Sequence, residues 1–146
     1  MQARRAGPRS EGATNVQILG MGNEIIECLR VARMIERYGE RFLCRVFTAG
    51  EIAYCQRRHQ ASQHFSAYWA GKEAVLAALG SKPPSGFRYQ EIEILSDSST
   101  DRHVLLHGPL AELQQRRKII EWKISLAHCR SHATALVLAF GEQRPA

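Results

Sequence analysis

The chain has 146 residues, a formal net charge of +6 and a hydrophobic share of 45%. That length fits one domain with its own core, and the positive charge favours a polyanionic partner without choosing among nucleic acid, phosphorylated cofactors and acidic proteins. No run approaches the roughly 18 uninterrupted apolar residues of a membrane helix, so a membrane-spanning protein is not expected.

The first residues contain arginines but no apolar run after them, which argues against a secretory signal. Their polar composition predicts a disordered leader over residues 1–15. A single domain is then expected over 16–141, followed by a short tail over 142–146.

The first predicted strand is short, over 16–19, and is closed by Gly20, with Gly22 two residues later. Glycines in that position indicate a tight backbone turn, which would place Glu24 just beyond the strand end. A helical pattern follows, and Gly39 interrupts it, so two helical pieces are expected.

Four arginines recur at intervals of three and four along this helical pattern, and such spacing aligns them on one side of a helix. This arginine ridge is either a solvated face neutralised by Glu36 and Glu40 or a cationic surface for an acidic partner helix. The sequence leaves both interpretations open. The ridge consists of Arg30, Arg33, Arg37 and Arg41.

Thr48 and Glu51 have the spacing of a capping box, which predicts a short helix from Ala49 toward Arg58. A polar loop rich in glutamine, histidine and serine comes after it.

The next helix, about 62–79, carries apolar or small residues on nearly every side, as a buried helix does. Lys72 and Glu73 are its only formally charged residues. Buried charges are costly unless they are paired, hydrogen-bonded or bound to a metal, so the two residues are candidates for a functional site. A structural charge network and an exposed helix end are the alternatives.

The second half of the chain is predicted to be mainly strand. A glycine- and proline-rich loop ends the long helix, and a short helix opens at Pro109. A loop beginning with His128 joins the last two strands, which indicates an antiparallel hairpin whose fully apolar strand is central. The class is α+β. The loop is 80–86, and the predicted strands are 87–95, 103–107, 120–126 and 133–140.

The acidic residues Glu24 and Glu73 suit a site that handles phosphates. Magnesium often uses one or two carboxylates together with substrate phosphates and water, although acidic pairs are common and the signal alone is weak. His128 follows a strand, where functional residues often lie, but it is one of six histidines. The loop 80–86 could approach phosphates through its backbone, yet it matches no P-loop spacing.

Several separate blocks resemble the holo-acyl-carrier-protein synthases, also called group I phosphopantetheinyl transferases. Between about Val16 and Phe140 the blocks are, in order, ILGMGNEIIE, RFLCRVFTAGEIAYC, WAGKEAVLAALG, YQEIEIL and WKISLAH. Their order and spacing are more specific than any single block. The resemblance implies a compact α+β fold, with an antiparallel sheet packed on helices, that assembles as a homotrimer with active sites between subunits.

In this family a serine hydroxyl of an apo acyl carrier protein attacks the β-phosphate of coenzyme A and releases adenosine 3′,5′-bisphosphate. The resemblance therefore implies a cytoplasmic, Mg²⁺-dependent transferase with coenzyme A as co-substrate and an acidic acyl carrier protein as partner. Neither nucleic acid nor a membrane is expected as a partner, and the pathway that the carrier serves is left open.

Carried over position by position, the resemblance implies metal binding by Glu24 and Glu73 and matching motif positions at Glu27, Lys72 and His128. The catalytic candidates are Glu73, Lys72 and His128. The serine proton could leave to a metal-bound water or to Glu73, and the sequence does not separate these routes.

The resemblance also assigns residues to the two substrates. The arginine ridge lies in the region that meets the carrier protein in relatives, and the residues after the long helix lie near coenzyme A. The carrier-binding candidates are Arg30, Arg33 and Arg37, and the coenzyme A candidates are Lys72, Gly80, Ser81, Lys82 and His128.

Three positions depart from the family pattern. Glu24 stands where an aspartate is usual, Tyr68 where an arginine is usual, and Ala77 where a lysine is usual. Loss of two cations beside a transferring phosphoryl group removes charge stabilisation, which Lys82 could partly replace. The alternative function is therefore a diverged paralogue that binds coenzyme A or a carrier protein without efficient transfer.

Overall fold

The computed structural model describes residues 15–97 and 101–143. Most of the predicted leader and the last residues of the predicted tail lie outside this part of the chain. In chain order the elements are β1 (Val16–Glu27), α1 (Cys28–Tyr38), α2 (Glu40–Val46), α3 (Ala49–Gln56), α4 (Ala61–Leu79), a 3₁₀ turn (Tyr89–Glu91), β2 (Ile92–Ser96), β3 (Arg102–Leu106), α5 (Gly108–Arg116), β4 (Ile119–His128) and β5 (His132–Glu142).

The main sheet is antiparallel, with the strand order β1-β5-β4, and a second two-stranded sheet pairs β2 with β3. The apolar strand β5 is central, as its sequence predicts. Its buried side chains, Ala133, Ala135, Val137 and Ala139, face the core. The predicted α+β class, with an antiparallel sheet packed on helices, is confirmed.

The first strand differs from its prediction. No turn forms at Gly20 and Gly22; β1 runs without a break to Glu27, so Glu24 lies inside the strand. A Cβ at Gly20 would lie 1.9 Å from the carbonyl oxygen of Ala78, and one at Gly22 would lie 1.8 Å from that of Ala74. The glycines are therefore needed because the strand backbone lies directly against α4, not because the chain turns.

The predicted breaks and caps of the helices are confirmed. Gly39 separates α1 from α2 with a φ of 54°, a value that favours glycine. The side chain of Thr48 accepts a hydrogen bond from the Glu51 amide, and the Glu51 carboxylate accepts one from the Thr48 amide, which completes the capping box of α3. Gly80, with a φ of 70°, ends α4.

The segment predicted as strand 87–95 begins later than expected. Phe87 donates its amide to Pro84 and Glu91 donates its amide to Arg88, so local turns use these backbone groups before β2 starts at Ile92. This irregular stretch places the ring of Tyr89 beside α4.

The core lies on both sides of α4, whose side chains pack against β5, β2 and α5 in one direction and against α2 and α3 in the other. Eleven residues of this helix are buried, among them Lys72. Within the described residues, no helix is long and apolar enough to cross a membrane.

Candidate active site

Lys72 is a fully buried cation in the middle of α4. Its Nζ lies 2.7 Å from Oε1 of Glu51 and donates to the carbonyl oxygens of Val46 at 2.6 Å and Tyr89 at 3.2 Å. Burial lowers the pKa of Lys72, and the Glu51 carboxylate opposes that shift. Three acceptors match the three protons of the ammonium group.

The carboxylate of Glu51 compensates the buried positive charge of Lys72. Besides Lys72, its carboxylate accepts the Thr48 amide at 2.7 Å and the Ile94 amide at 2.9 Å. The pair thus joins the start of α3, the middle of α4 and strand β2. A structural charge network, which the sequence left open for Lys72, is what the structure contains. Direct contact of Lys72 with a phosphate is not supported by this geometry, because the ammonium is enclosed and its protons are used.

Glu73 is half-buried, and its carboxylate is held from one side. Oε1 accepts the hydroxyl of Tyr89 at 2.6 Å and the indole N–H of Trp69 at 3.3 Å. Burial first, and the neighbouring Glu73 second, raise the pKa of Tyr89 to about 12, so the phenol remains a proton donor at neutral pH. Among the described residues, Oε2 of Glu73 has no hydrogen bond.

Glu24 lies on the face of β1 that packs on α4. Side chains two residues apart share a face of a strand, so Glu24 continues the row that contains Gly20 and Gly22. Gly20 lies against Ala78 and Gly22 against Ala74, a step of one helical turn per two strand residues. Continued once more, this register predicts that half-buried Glu24 lies opposite Ala70, one turn before Ala74 and three residues before Glu73.

Glu24 and Glu73 both offer carboxylate oxygens, the type of ligand that magnesium prefers. In residues 15–97 and 101–143, no three or more His, Cys, Asp or Glu side chains gather as a metal site. Magnesium keeps several waters and needs only one or two carboxylates when substrate phosphates complete its shell. Glu24, together with the uncommitted oxygen of Glu73, therefore fits Mg²⁺, whereas soft or all-protein metal sites are not supported by these residues.

His128 is the exposed last residue of β4, not the first residue of a loop as predicted. Its Nδ1 lies 2.9 Å from Oε1 of Gln63, and its ring packs 4.6 Å from that of His64. Gln63 precedes Glu73 by ten residues of one helix, which is about 15 Å along the helix axis. Within one chain, the structure does not bring His128 together with Glu73.

The predicted phosphate loop begins where α4 ends. Gly80, Ser81 and Lys82 are all exposed. Lys82 follows Glu73 by nine residues, so it lies beyond the C-terminal end of the helix, opposite to the end that His128 contacts. Glu73 and the start of the loop thus both belong to the C-terminal half of α4, whereas His128 contacts the N-terminal half.

Of the predicted ridge, Arg30, Arg33 and Arg37 are exposed on α1, whereas Arg41 lies on α2 beyond the break at Gly39, so the four arginines do not share one helix. Arg30, Arg33 and Arg37 line a shallow cavity of about 350 Å³ together with Glu27, Met34 and Tyr38. No carboxylate of the described residues is within ion-pair distance of these three arginines. Among the described residues, neither Glu36 nor Glu40 forms an ion pair with these arginines, so their positive charge is presented to solvent.

Residues 20–137 match the family model of the 4′-phosphopantetheinyl transferase superfamily. The chain belongs to this superfamily. It is 42% identical over 121 residues to the holo-acyl-carrier-protein synthase of Rhodopirellula baltica, with 83% of this chain and 96% of the relative covered. The family resemblance of the sequence blocks is confirmed, and holo-acyl-carrier-protein synthase is the enzyme class of this chain.

Solved structures of the family show the same fold. The holo-ACP-synthase of Plasmodium yoelii superposes with a TM-score of 0.75 at 23% identity, covering 88% of this chain and 99% of that one. The ACPS–CoA complex of Chronobacterium ammoniagenes has a TM-score of 0.71 at 30% identity, covering 86% and 98%. The predicted fold is confirmed, while the roles of individual residues stay predictions.

The structure shows the surroundings of Tyr68 and Ala77, two of the three predicted departures from the synthase pattern. Tyr68 is buried, and its hydroxyl lies 2.5 Å from Oγ of Ser96. Burial is the main cause that raises its pKa to about 12, so the side chain is neutral. Ala77 is exposed near the C-terminal end of α4, and Lys72 is the only cation on the helix itself.

Glu73 accepts hydrogen bonds from Trp69 and Tyr89, and Lys72 is paired with Glu51. Helical spacing places Trp69 on the same side of α4 as Glu73, so this neighbour was predictable from the sequence. Sequence reasoning missed the other two partners, although the capping-box spacing marked Glu51 as a structural residue. Tyr89 lies 16 residues after Glu73 in an irregular segment, and no periodic pattern connects the two.

Proposed function

We propose that this chain transfers 4′-phosphopantetheine from coenzyme A to a serine of an apo acyl carrier protein, with Mg²⁺, and releases adenosine 3′,5′-bisphosphate. The observation that carries the proposal is the arrangement at the middle of α4. There Oε1 of Glu73 accepts hydrogen bonds from two donors, and Oε2 has no hydrogen bond among the described residues. The register of β1 against α4 predicts that Glu24 lies opposite the same helical turn. Membership of the synthase family gives this carboxylate pair its chemistry.

In the proposed reaction the serine Oγ forms a bond to the β-phosphorus of coenzyme A, and the bond between that phosphorus and the bridging diphosphate oxygen breaks. The bisphosphate leaves with that oxygen, and the serine proton goes to water or to the Glu73 carboxylate. Glu24 and Glu73 would hold Mg²⁺, which, when bound, supplies positive charge to offset the charge of the diphosphate.

The remaining site residues divide by location. Gly80, Ser81 and Lys82 are exposed just beyond the C-terminal end of α4, seven to nine residues after Glu73, and would contact the diphosphate. Lys82 would supply a cation that the helix does not carry at Ala77. Lys72 would act by holding its neighbours in place. His128 is about 15 Å of helix axis away from Glu73, so its predicted contact with coenzyme A is best met at the site of an adjacent subunit.

A homotrimer is part of the proposal. The face of the main sheet that points away from α4 exposes a row of large apolar side chains, and such a patch usually marks a protein–protein contact. A threefold assembly would cover it and bring His128 of one subunit toward another. The patch contains Ile18, Met21, Ile25 and Leu136, which are 58%, 65%, 61% and 43% exposed.

The carrier protein is proposed to bind at the arginine ridge. Arg30, Arg33 and Arg37 have no ion-pair partner among the described residues, so an acidic helix would meet unneutralised charge. Coenzyme A and carrier proteins of this chemistry are expected in the cytoplasm, which stays the predicted location.

The deciding experiment combines the purified chain with coenzyme A, Mg²⁺ and an apo acyl carrier protein, and weighs the carrier by mass spectrometry. The expected result is a carrier heavier by one phosphopantetheine group, with release of the bisphosphate and a loss of both products on chelation of Mg²⁺. Glu73→Gln should abolish the mass change. A carrier that keeps its mass although the wild-type chain binds coenzyme A would favour the non-catalytic paralogue, to which the neutral Tyr68 and Ala77 point.

A further inference from the structure

We propose that Tyr89 is a positioning residue for Glu73, and that the buried Lys72–Glu51 pair acts in the reaction by fixing Tyr89. The inference rests on the proposed function, because it concerns how Glu73 is presented to the metal and diphosphate. It also gives Lys72 a role that is compatible with its complete burial.

Tyr89 bridges the two charged residues of α4. Its carbonyl oxygen accepts a hydrogen bond from Nζ of Lys72 at 3.2 Å, and its hydroxyl donates one to Oε1 of Glu73 at 2.6 Å. Adjacent residues on a helix point about 100° apart, so one residue can contact both only from the groove between them. The ring of Phe87, 5.0 Å from that of Tyr89, supports it from the loop side.

The backbone of Tyr89 has no regular strand to hold it, since it lies in a 3₁₀ turn before β2. Lys72 supplies that support. Glu51 keeps Lys72 in position and also accepts hydrogen bonds from the amides of Thr48, the N-cap of α3, and of Ile94 within β2. The chain of contacts therefore runs from the packed core through Lys72 and Tyr89 to the carboxylate of Glu73.

The hydroxyl of Tyr89 selects which oxygen of Glu73 is available. With two N–H or O–H donors on Oε1, rotation of the carboxylate is restricted and Oε2 is presented without a competing bond among the described residues. Mg²⁺ tolerates little misplacement of its ligands, and hydrogen bonds to a metal-binding carboxylate commonly change metal affinity by about tenfold to a hundredfold. Trp69 alone, at 3.3 Å, is the weaker of the two donors.

The test uses Mn²⁺, an oxygen-binding cation that electron paramagnetic resonance detects, titrated into the full chain with coenzyme A present. Tyr89→Phe removes one oxygen atom and keeps the ring, so the fold is retained and the variant can be checked by urea unfolding. Its matched control is Tyr54→Phe, since the Tyr54 hydroxyl has no hydrogen bond among the described residues and its ring packs on that of Tyr68. We expect about a tenfold weaker Mn²⁺ affinity for Tyr89→Phe, and an unchanged affinity for the control.

A second arm places Tyr89→Phe in a Glu73→Gln background. If Tyr89 acts through Glu73, the single Glu73→Gln chain and the double variant bind Mn²⁺ equally weakly. An additional loss in the double variant would show that Tyr89 acts elsewhere and would overturn the proposal. Wild-type Mn²⁺ affinity in Tyr89→Phe would overturn it too and leave the proposed function standing. A wild-type chain that binds no Mn²⁺ with coenzyme A would reject both.

Discussion

Nζ of Lys72 lies 2.7 Å from Oε1 of Glu51, and the two side chains are 0% and 1% exposed. A buried ion pair is tolerated only when the remaining protons and lone pairs are also satisfied. Here the Val46 and Tyr89 carbonyls use the other protons of Lys72, and the Thr48 and Ile94 amides are donated to Glu51. The pair therefore holds α3, α4 and β2 together close to the proposed site.

Lys72→Met should destabilise the chain strongly, because it leaves the Glu51 carboxylate buried without its cation. Loss of one partner of a buried pair costs about 3–5 kcal/mol, which urea unfolding followed by circular dichroism would measure. The double variant Lys72→Met/Glu51→Gln should recover part of that stability, since no uncompensated charge remains. A single variant as stable as the wild type would contradict the structural role of the pair.

Gly22→Ala tests the close contact of β1 with α4. A Cβ there would lie 1.8 Å from the carbonyl oxygen of Ala74, so strand and helix must separate and Glu24 moves with the strand. We expect a loss of about 3 kcal/mol in unfolding free energy, as for severe overpacking. The control is Gly50→Ala in α3, where the nearest atom is 4.0 Å away and the change should be neutral or stabilising by up to about 1 kcal/mol. Equal stability of the two variants would contradict the contact.

The local sequence pattern was sufficient to predict those elements that depend on interactions between neighbouring residues. The break at Gly39, the Thr48–Glu51 capping box and the buried helix α4 were all predicted, because caps and periodicity are properties of neighbouring residues. The α+β class and the central strand β5 followed from the same kind of signal.

Contacts between distant segments could not be predicted in this way. Gly22 has the same sequence signal whether the chain turns or passes a helix, and only the position of α4 decides between them. The charges of Lys72 and Glu73 marked a site, but their partners Glu51 and Tyr89 lie 21 and 16 residues away. Which partner satisfies a buried charge is a property of packing.

The surroundings of His64 predict that the free energy of unfolding falls in mild acid. Burial, followed by the nearby His128, Arg58 and Arg102, lowers the pKa of His64. The unfolded chain therefore binds a proton at a higher pH than the folded chain, and stability falls as the pH drops below the ordinary histidine pKa of about 6.5. Unfolding in urea between pH 7.5 and pH 5 should show this loss, and His64→Gln should reduce its slope. His59→Gln, at an exposed position, is the control. An unchanged slope in His64→Gln would assign the acid sensitivity to other groups.

Charge reversal in the arginine ridge should weaken docking of the carrier without altering the chemistry. Arg33 is exposed on α1 and unpaired among the described residues, and it is not one of the residues proposed to bind Mg²⁺ or coenzyme A. Arg33→Glu is expected to raise the KM for the apo carrier about tenfold, with the KM for coenzyme A unchanged, because surface charges act mainly on encounter and docking. Added salt should raise the wild-type KM toward that of the variant, since screening removes the same attraction.

The matched control is Arg116→Glu, which makes the same change of net charge at the exposed end of α5, outside the ridge. If net charge alone attracts the carrier, both variants will raise its KM equally. If the ridge is the docking surface, only Arg33→Glu will do so, and its effect will shrink at high ionic strength. An unchanged carrier KM in Arg33→Glu at low salt would mean that the carrier protein binds another face, and the ridge would then be a solvated surface, the interpretation that the sequence left open.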